Sequence, residues 1–203
     1  MWLFVVLTAL IGYLLGNLNG AVWVSHLMKD DVRTHGSGNA GLTNFIRSYG
    51  ASHALMVIVV DALKAVIACI VGGLLLKPYG LHLEGRMLGG LAVLLGHVFP
   101  VFLGFRGGKG ILSGLFVALM VDWRIAVLIL AVFAVAYFAT GYVSLGSVLA
   151  AAAFGVGFVV LHSQNLPVML CGVALSLLVI FMHRQNIARL IKGEERKTDL
   201  FKK

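Results

Sequence analysis

The chain has 203 residues, of which 60% are hydrophobic and only 12% are charged, and its mean hydropathy is +0.99. A soluble globule of this length cannot hide so much apolar surface, so the composition excludes a soluble class and indicates a membrane protein. The net charge of +8 would suggest nucleic acid in a soluble protein. Here its placement along the chain matters more, and we expect membrane lipids rather than nucleic acid as partners.

Seven apolar segments are candidate transmembrane helices, since a crossing needs about 20 mainly apolar residues. They are 2–24, 51–76, 87–104, 111–122, 125–140, 147–161 and 167–182, of which the fourth to sixth are short for complete crossings. The first has no basic residue before its apolar stretch and no convincing cleavage site, so we interpret it as retained rather than as a signal peptide. The sequence predicts an all-α integral membrane protein with seven transmembrane helices in a single domain, residues 1–203.

The basic residues concentrate on one side of the predicted membrane. That side holds Lys29, Arg33, Arg47, Arg106, Lys109 and the tail from Arg184 onward, whereas the other holds Lys77, Arg86 and Arg124. Positive charge resists translocation, so we expect the N-terminus outside and the C-terminus in the cytoplasm. After Glu195 we expect a solvated segment attracted to lipid headgroups.

Four polar segments interrupt the apolar chain, and all four fall on the predicted cytoplasmic side. They are 33–47, 105–113, 141–147 and 183–195. The outer connections carry no comparable run of glycine with hydroxyl, amide and cationic side chains. Because topology alone brings the four segments to one membrane face, we predict a composite site.

The first polar segment contains GSGNAGLTN at 36–44, followed by Arg47. Glycine lets successive backbone N–H groups point into one concavity, and such nests bind anions. Hydroxyl and amide groups would add donors, and the helix that starts there would add its N-terminal dipole. The residues concerned are Ser37, Gly38, Asn39, Thr43 and Asn44. The alternative is a glycine-rich loop in which Thr43 or Asn44 caps the next helix.

The second polar segment contains Gly107, Gly108, Lys109 and Gly110. It offers a flexible backbone and a compact cation, but it does not satisfy the GxxxxGK[ST] pattern, so no nucleotide fold is implied. A tight turn with a snorkelling lysine is the alternative.

The last two segments end hydrophobic spans. Ser144 and Ser147 are spaced for one helical face, where serines more often bond a backbone carbonyl than a ligand. His183 and Asn186 likewise share a face of a helix that we expect to continue past the membrane. Arg184 and Arg189 are available for headgroups or for a carboxylate such as Glu195. The alternative for this last segment is an ordinary basic stop at the membrane interface.

Three further groups are charged or titratable. Asp61 and Lys64, one turn apart within a span, are expected to pair, because an unpaired charge there is costly. His97 faces either the site or a buried hydrogen-bond partner. His26 and Asp31 match the HxxxxD spacing of another acyltransferase class, a match easily met by chance. We find no sequence-local nucleophile and no metal-ligand cluster, and we expect neither a metal nor another cofactor.

Three of these segments together resemble the signature segments of the bacterial acyl-phosphate-dependent glycerol-3-phosphate acyltransferase family, PlsY. They are GSGNAGLTN at 36–44, GGKG at 107–110 and HRQNIARLIKGEE at 183–195. The resemblance implies a seven-helix inner-membrane enzyme that moves a fatty acyl group from acyl phosphate to the 1-hydroxyl of glycerol 3-phosphate, giving lysophosphatidic acid and phosphate. Two departures, Leu42 in place of alanine and YLLGNLNGA in the first helix, affect packing more than chemistry.

The resemblance also implies roles for individual residues. Donor phosphate would be bound by Ser37, Gly38, Asn39 and Ser144, and glycerol 3-phosphate by Arg47, Lys109, His183 and Asn186. Together with Thr43, Asn44, Gly107, Gly108, Gly110 and His97, these form the candidate site. The general base would be a substrate phosphate oxygen, with His183 or His97 as rivals. We expect a monomer; an anion (organophosphate) transporter and a structural membrane subunit are the competing interpretations.

Overall fold

The computed structural model describes residues 1–198, and that part of the chain is helical with no β-strand. The helices are α1 Trp2–Gly16, α2 Gly20–Leu27, α3 Leu42–Tyr49, α4 Ala54–Leu76, α5 His82–Val98, α6 Ile111–Val121, α7 Trp123–Thr140, α8 Val143–Leu161, α9 Leu166–Met182 and α10 Arg184–Ile191. The described helices form two compact units, residues 1–121 and 122–198. The single domain stays a prediction.

Each predicted apolar segment coincides with helix, but not every helix is long enough to cross a membrane. Five spans within residues 1–198 qualify by length and composition, and α9 with α10 adds a sixth if the bent pair is one span. Helix α6 has 11 residues. At about 1.5 Å per residue it covers roughly 16 Å, about half of a typical hydrocarbon core. Seven complete crossings are therefore not shown.

In the first unit, helices α1, α4 and α5 pack through small residues. A Cβ atom on Gly72 of α4 would overlap the carbonyl of Gly85 on α5, and one on Gly89 would overlap the carbonyl of Ala68. At the other end of α5, Gly96 leaves no room for a side chain against the backbone of Tyr13. Small residues allow backbones to approach closely in membrane helix packing. The helices are therefore nearly in backbone contact.

The segment Asn17–Leu18–Asn19 separates α1 from α2, so the first predicted span is two helices. Asn19 caps α2 by accepting a hydrogen bond from Val22 N at 3.0 Å. The break leaves carbonyls at the end of α1 and an N–H group at the start of α2 without intrahelical partners. Two side chains of α4, Lys64 and Asp61, supply those partners.

In the second unit, the helix predicted to continue past the membrane bends at His183. Helices α9 and α10 meet there at 55°, and His183 itself has φ −93° and ψ 5°. The chain is helical beyond His183, as the sequence predicts, but it forms a separate helix with a different direction, which the sequence does not predict. The ring offers a physical reason, since its Nδ1 atom bonds the carbonyl of Val179 at 2.8 Å and holds the side chain against the end of α9.

The tail after Glu195 is only partly the solvated segment that the sequence predicts, since Arg196 and Lys197 are exposed but Thr198 is buried. Glu195 and Thr198 are buried, Thr198 N donates to Gly141 O at 3.3 Å, and the hydroxyl of Tyr137 donates to Thr198 O at 3.0 Å. The tail therefore folds back onto the turn between α7 and α8. The expectation for residues 199–203 lies outside the described part of the chain.

Candidate active site

Asn44 organises the first glycine-rich loop. Its Oδ1 atom accepts hydrogen bonds from the backbone N–H and the hydroxyl of Ser37 at 2.9 and 3.1 Å, and its Nδ2 atom donates to the carbonyls of Val32 and His35. Asn44 is 3% exposed, whereas Ser37 and Gly38 at the loop tip are exposed. Gly38 has φ +70°, which favours glycine. The structure thus gives Asn44 a supporting position and presents Ser37 and Gly38 to solvent.

Helix α3 begins directly after this loop, at Leu42, with Gly41 in the N-cap position. Neither Thr43 nor Asn44 caps the helix, so the capping alternative is wrong. Thr43 lies in the first turn, where helix N–H groups attract anions. Arg47 follows one turn later on the same helix, as the sequence predicts.

The second glycine-rich loop packs against the end of α5. Gly108 N donates to the carbonyl of His97 at 3.1 Å. A Cβ atom on Gly107 would overlap that same carbonyl, and one on Gly108 would overlap His97 Nε2 and approach Ala40 O. Ala40 belongs to the first loop, so the two glycine-rich loops meet at His97. The glycines are required because no other residue fits these approaches.

Two polar side chains outside the predicted site tie the loops down. Asn19 Nδ2 donates to Ala40 O at 3.0 Å, and Arg33 Nη1 donates to the carbonyl of Leu103 at 3.1 Å. Arg33 also forms a bidentate pair with Asp31. Sequence reasoning gave neither Asn19 nor Arg33 an individual role, because their partners lie 21 and 70 residues away.

The bond to Arg33 also explains why the HxxxxD spacing is a decoy. His26 Nε2 lies 3.7 Å from Asp31 Oδ2, too long for a hydrogen bond, whereas Arg33 Nη2 lies 2.7 Å from the same oxygen. The hydrogen bond from Arg33 lowers the pKa of Asp31 to about 2. Asp31 is therefore the partner of Arg33 and does not orient His26 as a base.

A buried charged cluster lies directly beneath the two loops. Asp61, Lys64 and His97 are each no more than 3% exposed. Lys64 Nζ lies 2.7 Å from Asp61 Oδ1 and 2.7 Å from His97 Nδ1. The predicted pairing of Asp61 with Lys64 is confirmed, and His97 has the buried partner that was one of its two interpretations.

The cluster also satisfies the break between α1 and α2. Lys64 Nζ donates to the carbonyl of Leu18 at 2.8 Å, and Gly20 N donates to Asp61 Oδ1 at 3.2 Å. The ammonium group of Lys64 thus lies at the break after α1, where carbonyl groups lack intrahelical partners. The carboxylate of Asp61 lies at the N-terminus of α2. Both placements match the helix dipoles.

In the second unit, His183 and Asn186 lie close to the bend between α9 and α10. They are 4% and 6% exposed, and Asn186 Nδ2 donates to Glu195 Oε1 at 2.9 Å. Ser147 donates to the carbonyl of Val143, as serines in membrane helices often do. Ser144 is also buried.

Glu195 anchors the tail, which gives a prediction about pH. Its side chain is 2% exposed and accepts hydrogen bonds from Asn186 and, at 2.7 Å, from Arg189 Nε. Burial by itself would raise the pKa of Glu195, but the hydrogen bonds from Asn186 and Arg189, the positive charge of Arg189 and a smaller contribution from Ser144 together leave the pKa below its usual 4.5. The ionised form therefore stabilises the folded tail above pH 4.5, and that stability is lost as the pH falls through the lowered pKa.

We expect faster hydrogen exchange at the Thr198 amide on acidification, after correction for the intrinsic pH dependence of exchange. Glu195→Gln should give the same increase at neutral pH, because an uncharged amide has one acceptor oxygen where the carboxylate accepts from both Asn186 and Arg189. Glu194→Gln is the matched control, since Glu194 is exposed. Equal exchange in both variants would contradict the assigned role of Glu195.

The four polar segments are paired within the units. Segments 33–47 and 105–113 meet in the first unit, and the tail that follows α10 meets the turn at Gly141 in the second. Over the described residues there is no group of three or more His, Cys, Asp or Glu side chains that could hold a metal ion. The chemistry present is that of N–H groups, hydroxyls and cations, which suits anionic ligands.

Comparison with known proteins supports one family. The model of the glycerol-3-phosphate acyltransferase family matches residues 6–193. The glycerol-3-phosphate acyltransferase of Thermoanaerobacter pseudethanolicus is 40% identical over 199 residues, which are 96% of each chain.

Solved structures support the same family. The crystal structure of PlsY (YgiH), an integral membrane glycerol 3-phosphate acyltransferase, in its glycerol 3-phosphate form has a TM-score of 0.87 and 31% identity, covering 98% of this chain and 99% of that one. Its lysophosphatidic acid form has a TM-score of 0.83 with the same identity, covering 97% and 96%. The matched span, the identity and the helical fold together show that this chain belongs to the glycerol-3-phosphate acyltransferase family of integral membrane proteins.

Proposed function

We propose that the protein transfers a fatty acyl group from acyl phosphate to the 1-hydroxyl of glycerol 3-phosphate, giving lysophosphatidic acid and phosphate. Family membership supports the acyltransferase activity. The solved relative has forms with glycerol 3-phosphate and with lysophosphatidic acid, the acceptor and the product of this reaction. The acyl phosphate donor rests on the resemblance of the three signature segments.

The observation that carries the proposal is the meeting of the two glycine-rich loops at His97. Both substrates carry phosphate groups that repel each other, so bringing them together requires cations and oriented N–H groups. The first loop presents Ser37, Gly38 and the first turn of α3, with Arg47 one turn later. The second presents Lys109 between glycines whose backbone is held by His97. These groups bind the phosphates and stabilise the developing oxyanion.

We assign His183, Asn186 and Ser144 of the second unit to substrate binding as well. His183 Nδ1 donates to a carbonyl, so a neutral His183 ring carries its lone pair on Nε2. That ring therefore has the tautomer that a general base requires. Our preferred base remains a substrate phosphate oxygen, whose second pKa is about 6. A pH–rate profile that loses its basic limb in His183→Ala, with substrate binding intact, would favour the histidine.

The test of the proposed reaction uses the purified protein in detergent, with glycerol 3-phosphate and either palmitoyl phosphate or palmitoyl-CoA as donor. We expect lysophosphatidic acid from the acyl phosphate alone. Product formation without a sealed compartment also separates the enzyme from an organophosphate transporter, which would require vesicles and accumulate solute. Product from the thioester alone would overturn the assignment of the donor.

We further propose a bacterial inner-membrane location, with the N-terminus outside and the polar segments in the cytoplasm. In this arrangement α6 is a seventh, shorter crossing. Cysteines introduced singly at Ser37, Lys109 and Arg184, the exposed neighbour of His183, would test it. All three should react with a membrane-impermeant thiol reagent only in inside-out vesicles, and reaction from opposite sides would overturn the topology.

A further inference from the structure

The starting point is the number of acceptors around Lys64 Nζ. Asp61 Oδ1 lies at 2.7 Å, Leu18 O at 2.8 Å and His97 Nδ1 at 2.7 Å, with Gly16 O more distant at 3.5 Å. A carboxylate and a carbonyl oxygen can only accept hydrogen bonds, and an ammonium group has three N–H donors. Three close acceptors therefore match an ammonium group that donates all three of its hydrogens.

The hydrogen that Lys64 donates towards His97 determines which nitrogen of that ring is protonated. If Lys64 donates to Nδ1, that nitrogen must carry the lone pair, and the proton of the neutral ring is on Nε2. The carboxylate of Asp61 cannot take over Nδ1, because its Oδ1 atom lies 3.8 Å away. A second proton on the buried ring would place two positive charges side by side.

We propose that Lys64 holds His97 as the neutral Nε2–H tautomer, so that the ring is a positioning residue for the two glycine-rich loops and not the base of the reaction. The Nε2 atom lies against Gly108 of the second loop, and the carbonyl of Ala40 in the first loop lies against the same glycine. An N–H group, rather than a lone pair, therefore faces the point where the loops meet. The role of His97 in turnover rests on the proposed function, whereas the assignment of its tautomer does not.

Two other histidines provide an internal contrast. The Nδ1 atoms of His82 and His183 lie 2.9 and 2.8 Å from the carbonyls of Gly73 and Val179. A carbonyl can only accept, so these rings carry their proton on Nδ1. His97 should therefore have the opposite tautomer from His82 and His183 within the same protein.

The tautomers can be measured by nitrogen NMR on protein labelled with ¹⁵N-histidine, without substrate and at about pH 8, above the usual histidine pKa of about 6.5. We expect one ring, absent from His97→Gln, to show Nε2–H. The ring absent from His82→Gln should show Nδ1–H. An Nδ1–H or doubly protonated signal for His97 would overturn the proposal, whatever the substrate of the enzyme.

The role in positioning is tested by kinetics on the same variants. Removing the ring in His97→Leu should lower kcat by about 100-fold, since small displacements of catalytic groups can cost that much. His97→Gln, whose amide can place an N–H group near the Nε2 position, should recover at least a tenth of the wild-type kcat. His82→Gln is the control and should match the wild type, because His82 lies at the opposite end of α5.

The kinetic and NMR outcomes separate the proposed role of His97 from the proposed acyl phosphate donor. Wild-type kcat in folded His97→Leu would overturn the positioning role, as would a His97→Gln variant no better than His97→Leu. Wild-type protein that makes no lysophosphatidic acid from acyl phosphate, but has the expected tautomer, would overturn the proposed donor and leave the assignment of the ring in place.

Discussion

Replacing Lys109 with alanine is expected to lower kcat at least about 100-fold while leaving the protein folded. Removing one preorganised group that stabilises developing negative charge typically costs this much. The loop should keep its conformation, because it is held by the bond from Gly108 N to the carbonyl of His97 and by the bond from Gly114 N to Gly110 O. The measurement is the rate of lysophosphatidic acid formation at saturating substrates, with the unfolding temperature as the check on folding.

Two further variants make this result specific. Lys109→Arg keeps the positive charge and should retain more activity than Lys109→Ala. Lys77→Ala removes an exposed cation that follows α4 and should behave as the wild type. Near-normal activity in folded Lys109→Ala would remove the second loop from the mechanism.

Replacing Lys64 with methionine is expected to destabilise the protein by about 3–5 kcal/mol, the range for breaking a buried ion pair on one side. The change leaves the carboxylate of Asp61 buried without its cation. It also removes the donor to the carbonyl of Leu18 in the break between α1 and α2. The free energy of unfolding, measured by titration with a denaturing detergent, should fall accordingly.

The double variant Asp61→Asn with Lys64→Met should be more stable than Lys64→Met alone, because it no longer contains an unpaired buried charge.

Arg124→Met provides a matched comparison. Arg124 lies 2.7 Å from Asp122, the same separation as in the buried pair, but its side chain is 55% exposed. Its loss should change the unfolding transition far less, since solvent screens the exposed guanidinium and Asp122, whose own side chain is 6% exposed, keeps its contact with His162 Nε2 at 3.1 Å. Equal losses in the two single variants would contradict the importance of burial.

The sequence was sufficient to predict the helical membrane class, the position of every apolar helix and the pairing of Asp61 with Lys64. It also identified the glycine-rich loops and offered Arg184 and Arg189 as possible partners of Glu195, of which the structure pairs Arg189. These features depend on hydropathy, on helical spacing or on glycine and charge within a few residues. Such local patterns predict helix independently of the rest of the chain, because a single segment in lipid satisfies its backbone hydrogen bonds within itself only as a helix.

The sequence did not reveal the break between α1 and α2, the bend at His183 or the folded tail. It also left the environment and the tautomer of His97 undecided. Lys64 and His97 are 33 residues apart, and Asn19 and Ala40 are 21 residues apart. No spacing in the sequence brings such groups to within hydrogen-bond distance.

The sequence by itself thus determined that helices would carry the glycine-rich loops, and it predicted which residues bind phosphate. Only the tertiary structure decided how His97 is held, because that depends on the close packing of α1, α4 and α5 through Gly96 and its neighbours. Because these backbones are nearly in contact, Asp61, the carbonyl of Leu18 and the ring of His97 all lie around the Nζ atom of Lys64. The direction of each hydrogen bond follows from that geometry, and hydropathy contains no information about it.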